Sequence, residues 1–202
     1  MYAITCPLFL LIYLPSRKHG STIPSKILSF YLVRHIDFSD PTTDLIRESV
    51  ASQHTSQVAV KFENQISNVF TIYLSVQDMY VAVIYRAPRT PHNYDNSLIN
   101  FIDSFSYGRN VLILEDFNLP SLNWTGDIAP TDLNAAARDR QIYDCFLRNG
   151  LTQVVQDSTH KAGGTLHLIL LSHLDRLIKI STIAPFPSCD HYPMVLSLSS
   201  AI

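Results

Sequence analysis

Residues 111–124 read VLILEDFNLPSLNW. Val111 to Leu114 is an unbroken apolar run, the mark of a β-strand covered on both faces. The chain then turns abruptly polar. Asp116 and Asn118 are two apart, so wherever strand geometry persists their side chains point the same way. A carboxylate beside a carboxamide at the mouth of a sheet can take a proton or a metal with one group and hydrogen-bond an oxyanion with the other. The same residues also suit an Asx-turn that merely ends a buried strand.

From residue 58 onward the pattern is regular. Val58 to Phe62, Val69 to Val76 and Tyr80 to Tyr85 read as strands, rich in β-branched and aromatic residues. The segment RAPRTPHN, 86–93, carries two prolines and reads as loop. Leu98, Ile99, Ile102 and Phe105 repeat at helical spacing and predict a helix over 94–105. After the opening stretch, Thr131 can cap a helix reaching Arg148, with Ile142, Cys145 and Phe146 as its inner stripe. Asn149-Gly150 supplies its left-handed stop. Further strands are predicted at 151–155, 166–171, 177–183 and 194–198. Interleaved strands and helices, with strands in the majority, define an α/β (α+β) chain.

Residues 1–57 are less legible. Leu8 to Leu14 reads as a buried strand, Ile27 to Val33 as a short apolar run, and 44–52 as a helix capped by Thr42 or Thr43. Met1 to Leu14 is apolar enough to suggest a weak signal peptide. It lacks a basic n-region and an A-x-A-like cleavage site, and it falls short of the roughly 20 residues a transmembrane helix needs. No stable membrane association is expected.

The chain has 202 residues, 47% hydrophobic and 16% charged, which excludes disordered, collagen-like and coiled-coil classes. Its net charge of −2 gives no global field toward a polyanion, so any nucleic acid must be met by a local site. The three cysteines Cys6, Cys145 and Cys189 are scattered and form no CxxC pair. Neither a disulfide framework nor a four-ligand zinc site is indicated, and an intracellular location, nuclear or cytoplasmic, fits reduced thiols.

Two further loops carry chemistry. Cys189-Asp190-His191 lies between Pro187 and Pro193, where a carboxylate and an imidazole suit base catalysis with a metal or phosphate as partner, or else form a solvated turn. Tyr85 ends an apolar strand and is followed by Arg86 and Arg89, the positive charges nearest the candidate site, which also suit a solvated loop.

Together and in this order, YRAPR, LILEDFNLPSLNW, a helix ending in NGL, TQVVQDSTHKAGGTLHLILLS and SCDHYPMVLSL resemble the endonuclease/exonuclease/phosphatase superfamily. More narrowly, they resemble the endonuclease domain of LINE-type (non-LTR) retrotransposon polyproteins, which carry a reverse transcriptase. The resemblance divides the chain into a poorly matching segment, 1–57, and a recognisable domain, 58–202. It implies a four-layered sandwich of two β-sheets flanked by helices, incomplete at the N-terminus. It also implies a Mg2+- or Mn2+-dependent phosphodiesterase acting on the DNA backbone without a small-molecule cofactor.

The roles it implies are specific. Tyr85 contacts the scissile phosphate, Asp116 positions or deprotonates water, and Asn118 hydrogen-bonds the phosphate. Asp190 is associated with the metal, while His191 holds the phosphate or acts as base. Arg86 and Arg89 would guide the substrate. Three departures accompany the resemblance. Glu115 replaces the glycine before Asp116. His167 stands where the family has the aspartate that orients the histidine, a loss that costs about 10⁴ in rate in the analogous serine-protease triad. No N-terminal metal-binding glutamate is recognisable, Glu48 being the only glutamate before residue 58. The catalytic set is thus incomplete, and a non-catalytic relic, at most a nucleic-acid or protein interaction module, is the alternative.

Overall fold

A computed structural model describes residues 8–14, 26–32, 58–59, 69–74, 78–88, 90–124, 136–185 and 190–199. The helix expected over 44–52, Glu48, Cys6, Cys189 and Arg89 lie outside them. The strands and helices fall into two compact units.

The first unit is a four-stranded sheet. It contains β1 (Leu8–Leu14), β2 (Lys26–Leu32), β9 (Leu177–Thr182) and β10 (Met194–Leu198), in the order β2-β1-β10-β9. β1 runs parallel to β10 and antiparallel to β2, while β9 and β10 are antiparallel. The strands predicted at Leu8–Leu14 and Met194–Leu198 are found at those bounds. The apolar run at 27–33 is also a strand, one residue earlier. In β10, Met194, Leu196 and Leu198 are buried and the residues between them are half-buried, the alternation of a strand covered on one face. The segment Thr159–Gly163 belongs to this unit too.

The second unit carries the six-stranded sheet β3-β4-β5-β6-β8-β7. Its strands are β3 (Val58–Ala59), β4 (Val69–Leu74), β5 (Met79–Ile84), β6 (Val111–Asp116), β7 (Thr152–Gln153) and β8 (His167–Leu171). Its helices are α1 (His92–Ser106) and α2 (Ala137–Arg148). β5 and β6 are parallel neighbours, and parallel strands need a crossover, which α1 supplies. The ends of β5 and β6, and therefore Tyr85-Arg86 and Asp116-Asn118, consequently leave the sheet on the same side.

Residue chemistry explains these elements. Pro91, extended at φ −61° and ψ 151°, precedes α1 directly, so the helix starts two residues before the predicted Tyr94. Proline fixes φ and lacks the N–H that a helix start would leave unused. Leu98, Ile102 and Phe105 bury one face of α1, each contributing roughly 1.5–3 kcal/mol. Val111 to Leu114 are all buried, as expected for a strand covered on both faces.

The strand predicted at 151–155 shortens to Thr152–Gln153 for a local reason. The Gln153 carboxamide donates to the Val155 carbonyl at 2.7 Å and accepts the Val155 N–H, taking both groups a strand ladder would use. α2 ends where Gly150 adopts φ +64°, as Asn149-Gly150 implied, and its predicted stripe Ile142, Cys145 and Phe146 is buried. Thr131, the expected cap, lies outside the described residues. Among the described residues no helix is long and apolar enough to cross a membrane.

Candidate active site

The turn after β6 is built from two sides. On one, Phe117 is fully buried and meets Phe146 of α2 edge-on at 5.2 Å, while Trp124 meets Tyr143 at 5.8 Å. Such aromatic edges hold a loop against a helix beyond what area alone provides. On the other, Arg86 ties the end of β5 to the turn. Its backbone N–H donates to the Asp116 carbonyl at 2.9 Å, and its Nη1 donates to the carbonyls of Asn118 at 2.7 Å and Phe117 at 3.2 Å. Asn118 answers by donating Nδ2 to the Arg86 carbonyl at 2.8 Å.

Within the turn the Asp116 Oδ1 accepts the Asn118 N–H at 3.2 Å. That is the Asx-turn the sequence allowed, and Asn118 sits at φ +44°, a conformation asparagine tolerates better than most residues. The Asx-turn is thus present, and strand geometry does not persist to Asn118, whose carboxamide is directed to the Arg86 carbonyl.

Arg86 corrects an expectation. It is a buried side chain, 6% exposed, rather than a loop cation offered to substrate. Its guanidinium grips Asp95 of α1 at 2.8 and 3.2 Å, with Asp139 of α2 at 3.8 Å. Arg138 donates to the same Asp95 from the other side and to the Thr90 carbonyl. Burial pushes the Asp95 carboxyl up, but hydrogen bonds from Arg86 and Arg138 prevail and hold it below the usual carboxylate range. Asp139 in turn accepts from the Ser121 hydroxyl at 2.7 Å and backbone at 3.2 Å. Charges buried this completely need partners, so Arg86 is spent on structure.

Tyr85 is half-buried at the end of β5, its carbonyl 3.4 Å from the Tyr94 hydroxyl. Burial raises Tyr94 to about 12, which keeps it a neutral donor. His167 on β8 lies directly opposite Asp116 on β6 and is buried. Glu115 pairs with Leu168 in the same ladder. Tyr85, Arg86, Asp116, Asn118 and His167 thus belong to one unit.

Asp190 and His191 belong to the other unit. His191 is buried and Asp190 exposed. The His160 Nε2 lies 3.2 Å from Asp190 Oδ2, and the His191 Nε2 lies 3.6 Å from Asp190 Oδ1. Burial raises the Asp190 carboxyl, and the His160 hydrogen bond with the nearby imidazoles brings it below its usual range.

Four partners of these residues escaped the sequence reading: Asp95, Arg138, Asp139 and His160. Asp95 and Asp139 stand in the first turns of helices, where acids are ordinary. The only signal for His160 is its place in THKAGG, before a glycine pair.

The fold is nuclease-like. Across 93% of its length the chain is similar to the solved "Endonuclease domain of TRAS1, a telomere-specific non-LTR retrotransposon", covering 96% of that chain with a TM-score of 0.53 and 14% identity. The sequence matches no family model and no curated protein.

Proposed function

We propose that the chain is a DNA endonuclease domain of the non-LTR retrotransposon type, a hydrolase of the phosphodiester backbone with impaired catalysis. One observation carries this reading: the Asp116–Asn118 turn at the end of β6, where a buried carboxylate and a carboxamide are fixed two residues apart by Arg86. Phosphoryl transfer asks for a positioned water and donors for developing charge. In this reading Asp116 orients or deprotonates the water and Tyr85 contacts the phosphate. Asn118 Nδ2 carries two hydrogens; one goes to the Arg86 carbonyl, and the second is assigned to a phosphate oxygen. For His191 the resemblance alone supplies the role of phosphate holder or base.

The resemblance also implies Mg2+ or Mn2+, which favour carboxylate, carbonyl and water oxygens. Beside Asp190 the donors within reach are imidazole nitrogens, and among the described residues no other group of three potential metal-binding side chains gathers. The described donors do not fit these ions.

The second reading, a non-catalytic relic that binds nucleic acid or protein, is favoured by His167, an imidazole where the resemblance implies the aspartate that orients His191. Plasmid nicking with Mg2+ or Mn2+ separates the two. Wild type exceeding both Asp116→Ala and His191→Ala supports the enzyme; equal background nicking by all three sinks it.

A further inference from the structure

We infer that His160, Asp190 and His191 form a binding site for a transition-metal ion of the Zn2+ class, a site separate in its chemistry from a Mg2+ centre. One ligand atom from each lies within 4.8 Å of the other two. The two imidazole-to-carboxylate gaps are 3.2 and 3.6 Å. A tetrahedral zinc with ligand arms of 2.0–2.1 Å requires donor separations of about 3.3 Å, which the His160 gap to Oδ2 already matches. The His191 gap is to the other oxygen, Oδ1, so binding through one carboxylate oxygen draws the donors, now within 4.8 Å of one another, closer together. Two imidazoles and one carboxylate are a zinc-type donor set, whereas imidazole nitrogen is a poor ligand for Mg2+.

The backbone holds the donors in place. His160 and His191 face each other as an antiparallel bridge. The Lys161 N–H donates to the Asp190 carbonyl at 2.8 Å, and the Tyr192 N–H donates to the Thr159 carbonyl at 2.9 Å. The rings meet edge-on at 4.8 Å. His191 closes the site from the buried side, while the Asp190 side chain, 53% exposed, leaves the remaining coordination position open to water.

The hydrogen bonds define what binding must change. The Ala162 N–H donates to His160 Nδ1 at 3.0 Å, so the neutral ring carries its proton on Nε2 and gives it to Asp190 Oδ2. A metal takes Nε2 once that proton has moved to Nδ1, at the cost of the Ala162 hydrogen bond. The ion thereby replaces the proton between His160 and Asp190. It also occupies Nε2 of His191, so under the nuclease reading Zn2+ inhibits nicking.

The test needs no activity. Full-length protein freed of metal with EDTA is titrated with Co2+ and its visible absorption recorded. Wild type is expected to gain a tetrahedral Co2+ spectrum that Zn2+ abolishes and millimolar Mg2+ does not. His160→Ala and Asp190→Asn are each expected to weaken that binding by at least about tenfold while far-ultraviolet circular dichroism stays unchanged. Should His160→Ala fail to fold, Asp190→Asn at the exposed position decides alone. No tetrahedral spectrum in wild type, or an undiminished one in Asp190→Asn, overturns the site. Failure of nicking leaves it standing, because the spectrum reports coordination alone.

Discussion

Asp116 and His167 are directly opposed in the antiparallel pairing of β6 with β8, and at 3% and 2% exposure both are buried. Opposed residues share a face with Cβ atoms about 5 Å apart, so the imidazole at 167 is a neighbour of the Asp116 carboxylate. His167→Asp therefore has two expected effects. Two buried carboxylates repel, which lowers stability by roughly 1–3 kcal/mol at neutral pH and less in acid. Restoring the carboxylate that the resemblance places there should raise nicking at least about tenfold. A folded His167→Asp protein, verified by urea titration, that nicks no faster than wild type removes the role assigned to this position.

Asp95 is the shared acceptor of two arginines. It accepts from Arg86 and Arg138 while 1% exposed, so Asp95→Ala strands a buried guanidinium. A loss of about 3–5 kcal/mol is expected, read as a fall of about 10 °C in Tm. Arg138, with 36% of its side chain exposed, is worth less, about 1 kcal/mol on replacement by alanine. The pH dependence has a definite sign. The folded carboxyl of Asp95 lies below its unfolded value, so its contribution is complete above the unfolded pKa and is lost as pH falls through the folded one. The stability gap between wild type and Asp95→Asn should be constant near neutrality and shrink only in strong acid. A gap that widens on acidification contradicts the ion-pair account.

What was legible in the sequence follows from how local each signal is. β1 and β10 announced themselves by apolar runs and alternation, and α2 by its stripe and its glycine stop. The Asp116–Asn118 turn was visible because its hydrogen bond spans two residues. The burial of Arg86 is not legible in the sequence because nothing near it carries its partners. Asp95 is nine positions away on α1 and Asp139 lies on another helix, and only the β5-α1-β6 crossover and the packing of α2 bring them in. His160 was passed over for the same reason, since its partner Asp190 is thirty residues on. Pairwise burial is decided by topology, which residue types alone do not encode.

Gly150 offers a test of the end of α2. Its φ of +64° is a left-handed conformation, and a Cβ added there meets nothing within 4 Å. Gly150→Ala should therefore cost about 1–2 kcal/mol through the backbone alone. Gly150→Asn should cost less, since asparagine visits this region more readily. Equal losses for alanine and asparagine in chemical denaturation contradict a purely conformational role.

Cys145 is fully buried on α2, and burial, with the neighbouring Asp103 carboxylate, pushes its thiol up to about 12. The Sγ also lies 3.8 Å from the Ile99 carbonyl and 3.6 Å from an Asp103 oxygen, both unfavourable to a thiolate, and Arg148 is paired with that same Asp103. The thiolate is the reactive form, so at pH 8 the native protein should leave Cys145 unmodified by iodoacetamide over hours. Unfolding in urea returns the thiol to its ordinary range and should make it react within minutes. Peptide mapping by mass spectrometry isolates this residue from Cys6 and Cys189. Rapid alkylation of Cys145 in folded protein would mean that α2 opens from the sheet far more often than its packing against Phe117 and α1 allows.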